Sequence, residues 1–120
     1  MVQFYHQTTL EASFAALSDA TRRGVLAQLG AADASISSLA DRFHMTLTGM
    51  KKHVQVLERA GLVRTEKVGR VRTCRLGNRD LTAEAEWIDA QRQLFEARFA
   101  ALDAILDEMK QEEANGPAGE

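Results

Sequence analysis

The run Met45-Thr-Leu-Thr-Gly-Met-Lys-Lys-His-Val-Gln-Val-Leu-Glu-Arg-Ala-Gly61 decides how this chain is read. Leu47, Met50, Val54 and Leu57 recur at three- and four-residue spacing, which predicts one apolar stripe along a helix. Thr48, Lys52, Gln55 and Arg59 fall on another face, with Lys51 beside them. The hydroxyl of Thr46 is placed to cap the first turn. Gly61 supplies the left-handed residue that stops the helix, with Leu62 closing back over it. One face is built to sit on a core, and the other offers amines, a hydroxyl and a carboxamide to something outside. Gly49 in the first turn costs about 0.5–1 kcal/mol relative to Ala. Close approach of a phosphate backbone to that turn is one reason to keep it.

Upstream, residues 1–8 show no clear period and read as a flexible N-terminal arm. Leu10, Phe14 and Leu17 mark a short amphipathic helix. Asp19 caps a second helix through Val25, Leu26 and Leu29 to Gly30. Arg22 and Arg23 sit in its first turn, where positive charge opposes the helix dipole. They call for pairing with an acid or for a phosphate. Ala31 to Ala34 reads as a small-residue loop. Ile36, Leu39, Ala40 and Phe43 give a third, short helix with Ser37 as its cap. His44 and Met45 then make a brief turn into the decisive helix. Two helices so joined, the second with a polar outward face, follow the helix-turn-helix plan.

Downstream, Leu62–Val68 and Val71–Leu76 are rich in Val, Thr and Arg, and Gly69-Arg70 joins them as a hairpin. This ribbon carries Arg64, Lys67, Arg70, Arg72 and Arg75. It reads as a basic wing able to lie along a sugar-phosphate backbone or dip into the minor groove, against the alternative of a charged edge that discourages strand pairing. Thr82 to Lys110 has no Gly or Pro and reads as one long helix of about 42 Å. Its apolar set is Leu81, Ala85, Ile88, Phe95, Phe99, Leu102, Leu106 and Met109, close to a heptad seam with Arg92 in the vacant slot. A small domain cannot cover such a stripe, so a second copy is expected there, with Ile88, Phe95, Phe99, Leu102 and Leu106 at the interface. Residues 111–120 read as a disordered tail.

The chain of 120 residues has a formal net charge of −2, which alone gives no reason to expect a polyanionic partner. Its distribution reverses that. Ten Lys/Arg and only two acids lie between Arg42 and Arg79, and the remainder carries five basic and fifteen acidic residues. A basic block of net +8 is an electrostatic footprint for nucleic acid. No apolar run reaches the length that spans a bilayer, no secretory signal opens the chain, and one cysteine excludes an internal disulfide framework. The expectation is a cytoplasmic protein with no membrane association.

Catalytic and metal chemistry find little support. The sequence has no Gly-rich phosphate loop, nucleophile elbow or Cys/His nucleophile spacing. Glu84, Glu86 and Asp89 read as the polar side of a helix start. His6, His44 and His53 lack a second ligand at useful spacing. His53 reads as a packing or hydrogen-bonding residue. Cys74 is a buried small hydrophobe if it shares the inward face of its strand with Leu76. No enzyme, no cofactor, no metal and no small-molecule ligand is expected.

The run Phe14-Ala-Ala-Leu-Ser-Asp-Ala-Thr-Arg-Arg23 resembles the opening helices of ArsR-type (ArsR/SmtB) transcriptional repressors. Lys52-His53-Val54 with Leu57-Glu-Arg-Ala-Gly-Leu-Val63 is similar to their recognition helix and its exit, and Gly69-Arg70-Val-Arg72 with Leu76 to their wing. Ala20, Lys51 and Cys74 depart from residues common in that family. The resemblance implies a mainly α, winged helix-turn-helix core over residues 9–80, dimeric through a long C-terminal helix over 81–110. It implies a homodimeric repressor on palindromic double-stranded DNA. By position, Thr46, Thr48, Gly49, Lys51, Lys52 and Gln55 would face the major groove, with Lys67, Arg70 and Arg72 in the wing. The Cys-x-Cys and terminal-helix His clusters of metal-sensing members have no counterpart. Two rivals stand beside this reading. One is a metal- or redox-responsive sensor of the same fold. The other is an interaction module with an acidic partner.

Overall fold

A computed structural model describes the backbone of residues 2–115 and the side chains from Thr9 onward within that range. The elements run α1 (Val2–Leu17), α2 (Ala20–Ala31), β1 (Ala34–Ser35), α3 (Ile36–Arg42), α4 (Leu47–Arg59), β2 (Val63–Val68), β3 (Val71–Leu76) and α5 (Thr82–Asn115). The chain forms two units, one ending at Glu84 and the other beginning at Ala85. α1 begins at Val2, so it includes residues 2–8 that were expected as an arm. α5 runs through residues 111–115, expected as tail, and the rest of that segment, 116–120, lies outside the described residues.

The first unit packs four helices and a small sheet around one core, to which α1 contributes the buried Ala16. Val25 and Leu29 of α2, Ile36, Leu39 and Ala40 of α3, and Met50, Val54 and Leu57 of α4 are buried together with Leu62, Val63 and Cys74. Full burial of one such Leu or Val side chain is worth about 1.5–3 kcal/mol. Leu47, expected on the same stripe, is instead 44% exposed. It stands at the first helical position of α4, a turn short of the ring formed by Met50, Val54 and Leu57.

Each helix end has an identifiable stop. Asp19 caps α2 by accepting from the Arg22 N–H at 3.0 Å. Ser35, not Ser37, caps α3, accepting from the Ser38 N–H at 3.0 Å. α3 ends where Met45 N–H donates to Ala40 and His44 N–H to Asp41, with His44 at φ 56°. That is the paired 6→1 and 5→2 bonding of a Schellman motif, with His in the left-handed place. α4 ends the same way: Leu62 N–H donates to Leu57, Gly61 N–H to Glu58, and Gly61 has φ 78°.

β2 and β3 pair antiparallel with Val68 opposite Val71, leaving Gly69-Arg70 as a two-residue loop. Gly69 has φ 64° while Arg70 is not in the left-handed region, the pattern of a type II′ turn. A third strand joins this hairpin. Ala34 pairs with Cys74 and Ser35 with Thr73, so the sheet order is β1-β3-β2. The segment 31–34 was expected as a plain loop, and two residues give no periodic signal. Leu76, expected inward beside Cys74, is 46% exposed at the end of β3.

Gly77 follows β3 at a close crossing. Its N–H donates to the Leu62 carbonyl at 2.8 Å, and a Cβ on it would lie 2.3 Å from the Gly61 carbonyl oxygen. Arg79 is the hub below this crossing. Its guanidinium donates to the hydroxyl of Ser13, to the Ala60 carbonyl at 3.3 Å and to both carboxylate oxygens of Glu84. Glu84 is only 2% exposed, so it is not the solvated helix-start acid expected of it. Leu81, with φ 68°, packs on the core of this unit and precedes α5 rather than continuing its seam.

In the second unit α5 continues as a single helix, and its full 34 residues span about 51 Å. Ile88, Phe95, Phe99, Leu102, Leu106 and Met109 are exposed along it. Trp87, Leu94 and Ile105, absent from the expected seam, are exposed too and widen the stripe to one side. Arg92 bonds Asp89 at 2.6 Å and Glu96 at 2.8 Å, and the Arg92 bond holds the Asp89 carboxyl below its usual range.

Candidate nucleic-acid interface

α4 is held by its apolar face, which leaves its other face free. Thr46 caps it, its hydroxyl accepting from the Gly49 N–H at 3.1 Å. A Cβ on Gly49 would lie 3.1 Å from that hydroxyl oxygen, so the cap itself favours glycine there. Thr48, Lys51, Lys52 and Gln55 are exposed. Among the described residues, neither lysine has an ion-pair or hydrogen-bond partner.

The wing stands across from this face. In the hairpin register Lys67 is opposite Arg72 and Thr65 opposite Cys74, and Cys74 is fully buried. Side chains alternate along a strand, so Lys67, Arg72 and Thr65 project to the side on which Cys74 meets the core. A cleft of about 470 Å³ results, bordered by Leu47 and Lys51 of α4 and by Lys67, Arg70 and Arg72 of the hairpin. A recess of about 290 Å³ adjoins it, lined by Lys51, Gln55, Glu58, Thr65 and Arg72. Of the expected contact residues, Lys51, Lys67, Arg70 and Arg72 thus line the cleft, and Lys51, Gln55 and Arg72 the recess beside it. Thr48 and Lys52 are exposed on α4 outside both linings, and Thr46 and Gly49 are engaged in the cap.

Not every cation of the basic block is free. Arg72 donates to the Thr65 hydroxyl at 2.9 Å, and Thr65 donates to Glu58 at 3.0 Å. Arg75 lies 3.6 Å from both Asp33 and Glu66, and Arg79 belongs to the hub described above. Glu58 and Thr65 escaped sequence reasoning, because a bond between a helix and a strand leaves no periodic mark. Among the described residues Arg22 and Arg23 form no ion pair with an acid. Arg22 donates to the carbonyls of Ala16 at 2.8 Å and Ala15 at 3.1 Å, and Arg23 to Leu17 at 2.7 Å. They cap the C-terminus of α1, where its dipole welcomes positive charge.

His53 sits behind the exposed face. Its Nδ1 accepts from Arg22 at 3.2 Å and lies 3.9 Å from Asp19, tying α4 to the start of α2. The Arg22 backbone N–H, with His53 and the Arg22 side chain behind it, holds the Asp19 carboxyl below its usual range. Burial pushes the Cys74 thiol up to about 11, Glu58 adds to this, and Arg72 opposes it. Desolvation therefore outweighs the nearby guanidinium. Among the described residues no three His, Cys, Asp or Glu side chains cluster as metal ligands, and no helix is long and apolar enough to cross a membrane.

Known proteins share this arrangement. The model of a helix-turn-helix domain family matches residues 17–66. A crystal structure of the ArsR family transcriptional regulator RHA00566 is 42% identical over 75% of this chain and 93% of its own, with a TM-score of 0.69. An ArsR-like transcriptional regulator from Rhodococcus sp. RHA1 is 36% identical over 90% of this chain and 97% of its own, with a TM-score of 0.72. The chain belongs to the ArsR family of transcriptional regulators. This ArsR-family protein also shares its fold with a homodimeric winged helix-turn-helix DNA-binding domain, Mb0332 from Mycobacterium bovis. That domain is 20% identical over 92% of this chain and 89% of its own, with a TM-score of 0.62. No curated protein matches. As an ArsR-family regulator with a helix-turn-helix DNA-binding domain, the chain serves transcription control and is not an enzyme.

Proposed function

We propose that this ArsR-family regulator acts in the cytoplasm as a homodimeric repressor on a palindromic operator. The observation that carries the reading is the pair of adjoining hollows: Lys51 of α4 faces Lys67, Arg70 and Arg72 of the wing across one, and Lys51 and Gln55 meet Arg72 in the other. α4 enters the major groove. There Lys51 and Lys52 neutralise phosphates or approach guanine acceptors, and Gln55 and Thr48 read adenine or mixed edges. Lys67 and Arg70 hold the sugar-phosphate backbone, giving affinity that does not depend on sequence and weakens with salt. The exposed Ile88, Phe95, Phe99, Leu102 and Leu106 take up a second copy of α5. Two recognition helices then lie about 34 Å apart on successive major grooves. Occupying such a site blocks access to a promoter.

The redox form of sensing is disfavoured by Cys74, which is buried with its thiol pushed up to about 11 and so held as the unreactive thiol. The proposal is tested by capture of fragmented source genome on the purified protein, followed by sequencing. A recurrent inverted repeat is expected. Failure to retain any fragment at low salt overturns the reading and favours the acidic-partner module.

A further inference from the structure

We infer that Arg72 is a sequence-reading residue, and that Thr65 and Glu58 are positioning residues that aim it. This rests on the DNA-binding reading and divides the wing's cations into two kinds. Arg70 sits in the turn and Lys67 on β2, both exposed and without partners among the described residues. Such side chains follow a phosphate wherever it lies. Arg72 is different. It projects to the α4 side, and its Nη1 is fixed on the Thr65 hydroxyl at 2.9 Å. That hydroxyl spends its own proton on the Glu58 carboxylate at 3.0 Å.

A hydroxyl has one proton to give. Glu58 takes it, which turns the oxygen lone pairs of Thr65 toward the guanidinium. The chain of donors therefore runs one way, from Arg72 through Thr65 to Glu58 on the recognition helix. Arg72 keeps its remaining N–H donors, and it lines the same recess as Lys51 and Gln55. A planar fork with fixed orientation suits the paired O6 and N7 acceptors of guanine. A carboxylate beside it weakens its pull on a bare phosphate, so Glu58 is at odds with a purely backbone-holding role. Glu58 and Arg72 together carry no net charge into the interface.

The test uses the full-length protein and a randomised duplex library. Wild type is expected to select a half-site containing a guanine whose identity is lost in Thr65→Val and kept in Thr65→Ser, which retains the hydroxyl. Thr65→Val should bind the duplex selected by wild type about tenfold more weakly. Its affinity for mixed-sequence DNA and its salt slope should stay at the wild-type values, whereas Arg70→Ala should lower that slope by about one. Selection of an unchanged motif by Thr65→Val, or equal loss in Thr65→Val and Thr65→Ser, overturns the inference while the DNA-binding reading stands. No motif from wild type itself overturns both.

Discussion

Replacing Arg79 by Met removes the hub of the first unit, and the structure sets the magnitude. The guanidinium is about a quarter exposed, but the Glu84 side chain facing it is 3% exposed and Ser13 is fully buried. Met fills the aliphatic volume and leaves a buried carboxylate and a buried hydroxyl without their donor. Breaking a buried pair in this way costs about 3–5 kcal/mol. For a unit of this size that lowers Tm by at least about 12 °C. Glu84→Leu is the milder change, at about 2 kcal/mol, because Arg79 keeps Ser13 and the Ala60 carbonyl and reaches water with its exposed part. The double variant Arg79→Met, Glu84→Leu should lose about 1–3 kcal/mol less than the two single losses combined. Urea unfolding by circular dichroism, at one fixed protein concentration because the proposed association would shift the midpoint, measures all four corners of this cycle. Additive losses, or an Arg79→Met loss below about 0.5 kcal/mol, would refute the reasoning.

Three further outcomes follow from other sites. Gly77→Ala should unfold at markedly lower denaturant than wild type, since its Cβ would lie 2.3 Å from a backbone oxygen that no rotamer change can move; an unchanged midpoint would contradict the close crossing. Phe99→Asp, placing charge in the α5 stripe, should abolish the proposed dimer in sedimentation while the helical circular dichroism of the first unit persists. Cys74 should resist a thiol reagent at neutral pH in the folded protein and react at once in denaturant; rapid labelling of the native chain would show that the strand opens.

The stretch from Met45 to Gly61 was legible because each of its signals is local. A capping hydroxyl, a heptad-like stripe and a terminal glycine all act within one helix, and Thr46, Met50, Val54, Leu57 and Gly61 do what their spacing says. The hairpin was legible for the same reason, its Gly69 punctuating two strand-like runs. What the sequence hid are pairings between elements. Asp33, Ser13, Thr65 and Glu84 look like ordinary surface residues until the fold brings Arg75, Arg72 and Arg79 against them. Charge counting over 42–79 treated all ten cations alike, and hydrogen bonds and ion pairs divide them into free and committed ones. β1 was invisible because two residues carry no period and are strand only by virtue of Cys74 and Thr73 beside them. Leu47 misled because helical phase gives direction without saying where the core ends.

The tip of the hairpin stands clear of the unit that carries it. A side chain at position 69 would meet no atom within 4 Å, and both Val68 and Val71 beside it are exposed. Residues can therefore be added at this bend without meeting anything folded behind it, while position 69 itself, at φ 64°, keeps its preference for glycine. Diverging copies of the gene are free to lengthen or recharge the finger, while the helices that support it stay as they are.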